Sequence, residues 1–495
     1  MRTANTHPRS LWLGTLILIL AGSVAADDNW PQFRGYRAAG VGSGNPPVRW
    51  DVATGENVLW KTDIEGLSHA SPIVWGDRVF LVTAVSTATA APSLSTGWLG
   101  GTGESAADEG TWSWQLHAYD LATGQLIWKR EAAAGVPLMK RHVKASHANC
   151  TPATDGQHIV AFFGSEGLYC CDMEGTLLWR TGFGRLHAGP YNAKEMEWGF
   201  ASSPVIHGEH VIVQCDCLNT SFVAILRLVD GVEVRRIPRN EVTTWSTPLV
   251  VDTAGQTQIV CNGYQEMAGY DMSSGERLWF LQGGGDIPVP APLFSHDLFL
   301  LTNGHGRRPT YAIASTARGD LTPSSASLAA PKEPVAPADA AATPDATATP
   351  APTAAPEQPA PPVVPPTPSL PPGLVWYEPR DGSYMPTPIV VGDYLYNCDD
   401  NGRLSVRNVT DGSLVYQERV GNGVTYSASA VATPNQIYYG DENGTVHVIR
   451  TGATFELLAE NAMPDTIMAT PALTGDRLLI RTVKQLICIG QKPLP

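Results

Sequence analysis

The sequence predicts an all-β fold, an eight-bladed β-propeller of four-stranded antiparallel blades, and three observations predict it. The first is a Ser/Thr-Pro step at Ser71-Pro72, Thr151-Pro152, Ser203-Pro204, Thr247-Pro248, Thr387-Pro388 and Thr470-Pro471, with degenerate copies at Ala291-Pro292 and Ser429-Ala430. Each step opens a strand-like apolar run, and the gaps between the eight marks are 80, 52, 44, 44, 96, 42 and 41 residues, the two long ones holding obvious insertions. One such unit cannot bury its own apolar face, so eight copies require a circular or stacked array of small sheets. The second observation is a turn ending in Gly with an aromatic residue four positions later, as in YDLATGQLIW (119–128), CDMEGTLLW (171–179), YDMSSGERLW (270–279) and RNVTDGSLVY (407–416). Glycine supplies the positive φ of a tight hairpin turn and the aromatic ring a large surface to bury on a neighbouring sheet, so each unit reads as a propeller blade. The third is a pair of incomplete ends. The last unit stops after three strands, while Val58-Leu59-Trp60-Lys61 reads like Leu126-Ile127-Trp128-Lys129 and precedes the first mark, so it has no blade of its own.

Taken in chain order, residues 1–26 read as a secretory signal, with Arg2 and Arg9 ahead of an apolar run over 11–21 and small residues at Val24, Ala25 and Ala26. That run is too short to span a bilayer, so cleavage near Ala26 is expected rather than anchoring. The mature chain, 27–495, is then expected to form a single propeller. Residues near 57–61 are expected to supply the outer strand of blade eight, which pairs the two ends of the sheet ring and leaves no open edge. Blade one carries a Gly/Ala/Ser/Thr-rich loop insertion at 86–113. Blade five is interrupted at 322–372 by an Ala/Pro/Thr tract, expected to be a disordered loop because proline donates no ladder hydrogen bond and the tract has little to bury; its outer strand resumes at Leu374-Val375-Trp376. The tract is a passive spacer or a docking segment in polyproline-II form. The structural aromatics of the repeat are Trp60, Trp128, Trp179, Trp279, Trp376 and Tyr416.

Charged residues make up 16% of the 495, and Lys+Arg 33 against Asp+Glu 47 leaves a net charge of −14. An acidic surface argues against nucleic acid and anionic lipid, whose phosphates demand a basic footprint.

The opening NWPQFRG (29–35), the phrase SPIVWGDRVFL (71–81) and the T-G-x-x-x-W turns resemble the pyrroloquinoline-quinone-like (PQQ-like) β-propeller repeat proteins of bacteria, including BamB-type outer-membrane assembly factors. The resemblance covers nearly all of the mature chain outside the two insertions. It implies the fold, but that superfamily holds quinoprotein dehydrogenases as well as assembly scaffolds. BamB-type proteins carry a lipidated cysteine after the signal; here the corresponding stretch is Leu20-Ala21-Gly22-Ser23, so no lipid anchor is expected. Soluble export to the periplasm or beyond the cell follows, as a monomer that does not span a membrane.

The eight cysteines, Cys150, Cys170, Cys171, Cys215, Cys217, Cys261, Cys398 and Cys488, are an even number in an exported chain, which permits disulfides. Quinoprotein alcohol dehydrogenases of the resembled superfamily often sandwich the quinone with a disulfide between neighbouring cysteines, which draws attention to Cys170-Cys171. That pair aligns with a strand of blade one, where neighbouring side chains point to opposite faces, so two ordinary strand cysteines are expected, one of them buried against a neighbouring sheet. No C-x-x-C-H, H-E-x-x-H or C-x-x-C occurs, and Cys215-Asp216-Cys217 is at most half a metal site. Asp399-Asp400-Asn401-Gly402 and Asp441-Glu442-Asn443-Gly444 look like calcium loops but lack the downstream ligand, and read as Asn-Gly hairpin turns. No cofactor or metal is therefore expected.

Residues just before each innermost strand crowd the axis, which places His69, His147, Asn149, Phe200, Trp245, Met385, Tyr426, Ser427 and Met468 around the channel mouth. Imidazole, aromatic and thioether groups in one ring suit a peptide or small aromatic ligand better than acid/base chemistry. Lys140-Arg141-His142-Val143-Lys144-Ala145-Ser146-His147 is a basic loop on an acidic protein, with Glu195, Glu197 and Trp198 ahead of the next inner strand. It is a solvated connection or an anion or partner site at the rim. The candidate binding residues are therefore His69, Arg141, His142, Lys144, His147, Trp198, Phe200, Trp245, Met385, Tyr426 and Met468, with no catalytic residue assigned. The leading expectation is a non-enzymatic scaffold for a protein or peptide of the cell envelope. Two alternatives stand beside it: a dehydrogenase using PQQ with Ca²⁺, for which a Glu/Asn/Asp set and a basic group over the quinone would be needed, and a propeller that binds or cleaves polysaccharide.

Overall fold

The structure, a computed structural model, describes residues 28–89, 91–99, 102–323 and 370–492. The leader-like segment 1–26 and most of the Ala/Pro/Thr tract lie outside the described residues. Short β-rich runs punctuated by glycine turns fold into eight antiparallel sheets arranged as blades. Blade one is Ile73–Trp75, Arg78–Ser86, Trp112–Asp120 and Leu126–Gly135, and blade two is Ala153–Thr154, His158–Phe162, Leu168–Asp172 and Leu177–Thr181. Blade three runs Val205–His207, His210–Asp216, Ser221–Arg227 and Glu233–Pro238; blade four runs Leu249–Thr253, Gln256–Cys261, Met267–Asp271 and Arg277–Leu281. Blade five is Leu293–Ser295, Leu298–Thr302, Thr310–Ala314 and, beyond the insertion, Leu374–Glu378. Blades six and seven open at Ile389–Val391 and Val431–Ala432 and end at Leu414–Arg419 and Leu457–Ala462.

Blade eight closes the ring as expected. Ala472–Thr474, Arg477–Arg481 and Gln485–Ile489 receive Val58–Asp63 as outer strand, with Trp60 opposite Cys488 and Lys61 opposite Ile487. Blade four departs from the four-stranded pattern: Gly319–Asp320, at the start of the insertion, adds a parallel fifth strand beside Trp279 and Phe280. The exposed edge of that blade is thereby covered by the chain itself.

The Ser/Thr of each mark has a physical reason for recurring. Its hydroxyl accepts the backbone N–H of the equivalent residue in the preceding blade: Ser71 N–H to Thr151 Oγ1 (2.9 Å), Thr151 to Ser203 Oγ (2.9 Å), Ser203 to Thr247 Oγ1 (3.0 Å). The chain of bonds resumes from Ala291 to Thr387 Oγ1 (3.0 Å), Thr387 to Ser429 Oγ (2.9 Å) and Ser429 to Thr470 Oγ1 (3.0 Å). Six of the eight blade seams are thus stitched at the axis; the seam into blade five is not, because Ala291 has no hydroxyl, and neither is the seam from blade eight to blade one, where Ser71 Oγ has no partner among the described residues.

A second stitch lies at the periphery. Trp60 Nε1 donates to the Leu121 carbonyl (2.9 Å), Trp128 to Met173 (3.1 Å), Trp179 to Leu228 (2.7 Å) and Trp376 to Val409 (2.7 Å), each bridging to the next blade. Each indole covers the turn glycine of that blade; a Cβ on Gly124, whose φ is +71°, would sit 2.3 Å from the Trp60 ring. Glycine is required there by conformation and by contact alike. Two repeat aromatics differ. Trp279 donates to Gln258 Oε1 in its own blade and stacks on Phe299 at 5.8 Å, and Tyr416 packs edge-on against Phe455 at 6.4 Å.

Before reaching the outer edge of blade eight, residues 28–57 run under the ring. Trp30 bridges to Val74 of blade one and Pro31 accepts from Thr154 of blade two. Arg34, fully buried, donates across the axis to the carbonyls of Thr387, Pro388 and Ala430, while Gly40 and Gly42 bond Ala432 of blade seven. Burial pushes the Arg34 guanidinium down to about 9, still protonated at neutral pH, and its partners are all carbonyls, which a five-donor fork can satisfy. The NWPQFRG phrase is the strap that closes this end of the channel.

Candidate functional site

The strap leaves the channel as a cup of about 230 Å³ open at the other end, with Phe33 on its floor beside the hydroxyl ring of Thr151, Ser203, Thr247, Thr387, Ser429 and Thr470. Its wall follows a single rule of register. The residue two before each mark faces the axis: His69, Asn149, Ala201, Trp245, Val289, Met385, Ser427 and Met468 all line the cup. Alternate residues of an extended chain point the same way, so a residue two positions from a ring hydroxyl shares its inward face.

Of the expected residues, His69, His142, Lys144, Trp198, Trp245, Met385, Tyr426 and Met468 line the cup. Arg141, His147 and Phe200 do not. Phe200 is one residue out of register; its ring turns into the core between blades two and three, 5.0 Å from Phe162, and Ala201 takes the inward place. Arg141 and His147 are held by Asp108: Arg141 Nε and Nη2 bind its two oxygens at 2.7 and 2.8 Å, and His147 Nε2 lies 3.0 Å from Oδ2. The basic loop is thus neutralised from within rather than left open for an anion.

Asp108 belongs to the blade-one insertion, which folds over the mouth as a roof. Ser95 N–H donates to the Val143 carbonyl, Ala106 N–H to Arg141, and Trp198 Nε1 to Gly103. At its tip Gly97 N–H donates to Glu442 Oε2 (2.6 Å), and Trp98, 60% exposed, stands at the rim. A segment that composition presents as a plain loop is ordered here by carboxylate and backbone contacts, which composition does not display.

The two Asn-Gly turns do form hairpin turns, with Gly402 and Gly444 donating to the Asp399 and Asp441 carbonyls, but each also delivers a carboxylate to the cup, which sequence reading missed. Glu442, 1% exposed, accepts from Lys144 Nζ (2.7 Å), Ser427 Oγ (2.6 Å) and Gly97. It is the counter-ion of Lys144, the one lysine or arginine of the lining. Asp400, 3% exposed, receives only Asn401 Nδ2 at Oδ2 (3.3 Å); its Oδ1 has no hydrogen-bond partner, with Arg308 Nη2 4.0 Å away. Burial and then the neighbouring Asp399 hold its carboxyl above the usual range. His69 Nε2 donates to the Lys144 carbonyl (2.8 Å), leaving Nδ1 as an unpartnered acceptor, and burial pushes its pKa down to about 4, so the ring is neutral. Trp198 and Trp245 stack obliquely at 5.8 Å on one side, and Phe33, Ile287, Val289, Met385 and Met468 add apolar surface.

All eight cysteines are among the described residues, buried and unbridged. Cys170 faces the core shared with blade three and Cys171 that shared with blade one, so both members of the adjacent pair are buried, not one. Among the described residues no three His, Cys, Asp or Glu side chains stand close enough to share a metal ion, and no helix is long and apolar enough to cross a membrane.

The comparisons agree with this architecture. The family model of the outer membrane protein assembly factor BamB matches residues 113–347. Among solved structures, BamB from Moraxella catarrhalis is 12% identical with a TM-score of 0.52, over 87% of this chain and 98% of that one. A quinohemoprotein alcohol dehydrogenase from Comamonas testosteroni is 12% identical with a TM-score of 0.59, over 96% of this chain and 82% of that one. A europium-containing methanol dehydrogenase is 10% identical with a TM-score of 0.57, over 92% and 90%. At such identities the likeness is one of fold. No curated protein matches the chain.

Proposed function

The chain is a PQQ-like β-propeller repeat protein, and from that premise we propose that it is an exported, non-enzymatic binding propeller whose roofed cup takes part of a protein or peptide partner in the cell envelope. The observation that carries this reading is the state of the polar groups in the cup. Lys144 and Glu442 neutralise each other, and Asn149 spends both ends of its amide on Ser146 and Phe200. What remains is an aromatic and apolar wall with the hydroxyl ring and the unpartnered acceptors of Asp400 and His69, a recognition surface.

The quinone alternative is not supported by the residues present. Calcium takes about six to eight oxygen ligands, and among the described residues of this cup only Asp400 offers an uncommitted carboxylate oxygen. The adjacent cysteines lie in the blade-two core and do not line the cup. A cavity of about 230 Å³ is below the usual size of a drug-sized ligand site. Polysaccharide cleavage calls for two working carboxylates flanking one bond, and Glu442 is tied to Lys144.

The buried state of every native cysteine gives a clean test. Trp98→Cys at the mouth and Tyr36→Cys, a 64% exposed position on the strap, each labelled with a thiol-directed benzophenone, are irradiated with envelope extract. One discrete adduct from position 98 and none from position 36 is expected. Saturable binding of PQQ and Ca²⁺ with dye reduction on adding alcohols would replace this reading with the dehydrogenase.

A further inference from the structure

The cup's lining contains two polar side-chain atoms that are buried and have no hydrogen-bond partner among the described residues, Asp400 Oδ1 and His69 Nδ1. Both are acceptors. His69 is fixed as one because its other nitrogen donates to the Lys144 carbonyl, and Asp400 is 3% exposed on a turn whose backbone is locked, Gly402 N–H donating to the Asp399 carbonyl and Tyr426 N–H to that of Asp400. A buried acceptor left without a donor forfeits the hydrogen bond that water would give it, so an occupant that presents a donor to Asp400 is favoured over water-free closure.

The surroundings sort donors by charge. Trp98, Trp198, Trp245 and Tyr384 bring aromatic rings to the same lining, and ring faces attract cations. The one lysine or arginine of the lining, Lys144, is already held by Glu442 at 2.7 Å. Arg308, which binds Asp399 at 3.1 Å, approaches Asp400 only to 4.0 Å. A net charge of −14 draws cations toward the molecule and repels a polycarboxylate.

We propose that the cup binds an organic cation, an ammonium or guanidinium on an apolar or aromatic body, with an N–H group donating to Asp400 Oδ1 and its body against the tryptophans. This rests on the binding-propeller reading and names the chemistry of what enters: a Lys or Arg side chain of the partner, or a free amine.

Tryptophan fluorescence of the purified chain reports binding, since Trp98, Trp198 and Trp245 line the cup. Three probes of one shape are titrated: phenethylammonium, 2-phenylethanol and 3-phenylpropionate. The ammonium is expected to bind roughly tenfold or more tighter than the alcohol, the worth of a charge-assisted hydrogen bond, and the carboxylate not to saturate. Asp400→Asn is expected to bring ammonium and alcohol to within about threefold. Capped Ala peptides with one central Arg or Gln separate the sources: saturation by the Arg peptide alone assigns a partner's side chain, saturation by the free amine alone a small molecule. Equal binding of the three probes, preference for the carboxylate, or binding by none of them and by neither peptide overturns the inference even if Asp400→Asn does not fold. The cross-link from position 98 is a separate readout, so a partner captured without cation preference keeps the scaffold and rejects the cation.

Discussion

Protonation at single residues sets how the molecule responds to acid. His117, buried in blade one, accepts from the Tyr119 hydroxyl at Nδ1 (2.9 Å) and donates to Gln115 Oε1 from Nε2 (2.8 Å), a neutral ring with both nitrogens used. Burial, reinforced by nearby Arg481, pushes its pKa down to about 4. The unfolded value is about 6.5, so the folded state holds this proton less tightly and the stabilisation is complete above pH 6.5. It drains as pH falls through the folded value, by up to about 3 kcal/mol. The thermal midpoint is therefore expected to fall between pH 6.5 and 4, with a shallower slope in His117→Gln; superimposable slopes would clear His117 of the effect. Arg481 itself is fully buried, spends one nitrogen on the Val82 carbonyl and leaves Nε and Nη2 without partners among the described residues. At this scale the sequence was legible where periodicity reaches. His69, Asn149, Trp245, Met385, Ser427 and Met468 stand two before a mark and were found; Ala201 and Val289 obey the same rule and were passed over because small aliphatic residues carry no chemical signal. Asp400 and Glu442 carry no such signal, since a carboxylate beside Asn-Gly looks the same whether it meets water or a cavity.

Between blades, the two stitches carry different loads. The axial one is a single neutral hydrogen bond at each of six seams, about 1 kcal/mol apiece, whereas the peripheral one buries an indole. Trp60→Ala is expected to cost about 3–5 kcal/mol in chemical denaturation, because it removes a buried ring, its bond to Leu121 and the closure of blade eight on blade one together. Tyr416→Ala, whose ring is only half-buried and whose hydroxyl has no partner, is expected to cost less than half as much. Equal losses would mean that the glycine turns do not act as docking sites. The Gly-x-x-x-aromatic spacing announces this device plainly, but does not separate the four docking tryptophans from Trp279, which bonds within its own blade and has the added strand Gly319–Asp320 beside it. The roof was the least legible element. Residues 87–111 have no periodicity, and the described part of the roof is held through Asp108, Arg141 and Glu442, partners brought together only once the ring exists.

For the molecule as a whole, closure was readable because a strand lacking a blade and a blade lacking a strand lie at opposite ends of one chain. Removing residues 28–62 is expected to expose the edge of Gln485–Ile489 and unseat the strap, giving aggregation on size-exclusion chromatography; a monomeric, cooperatively unfolding truncation would refute the closure. The same pairing bears on the order of assembly. Val58–Asp63 is synthesised early and its partner Gln485–Ile489 more than four hundred positions later, so the ladder between Lys61 and Ile487 has a loop as long as the protein to close. Seven blades can form in turn as the chain emerges, each on the one before, but the eighth waits for the final strand to arrive. Until then an apolar strand and a tryptophan without its turn stay unpaired, so locking this seam is the last step of folding.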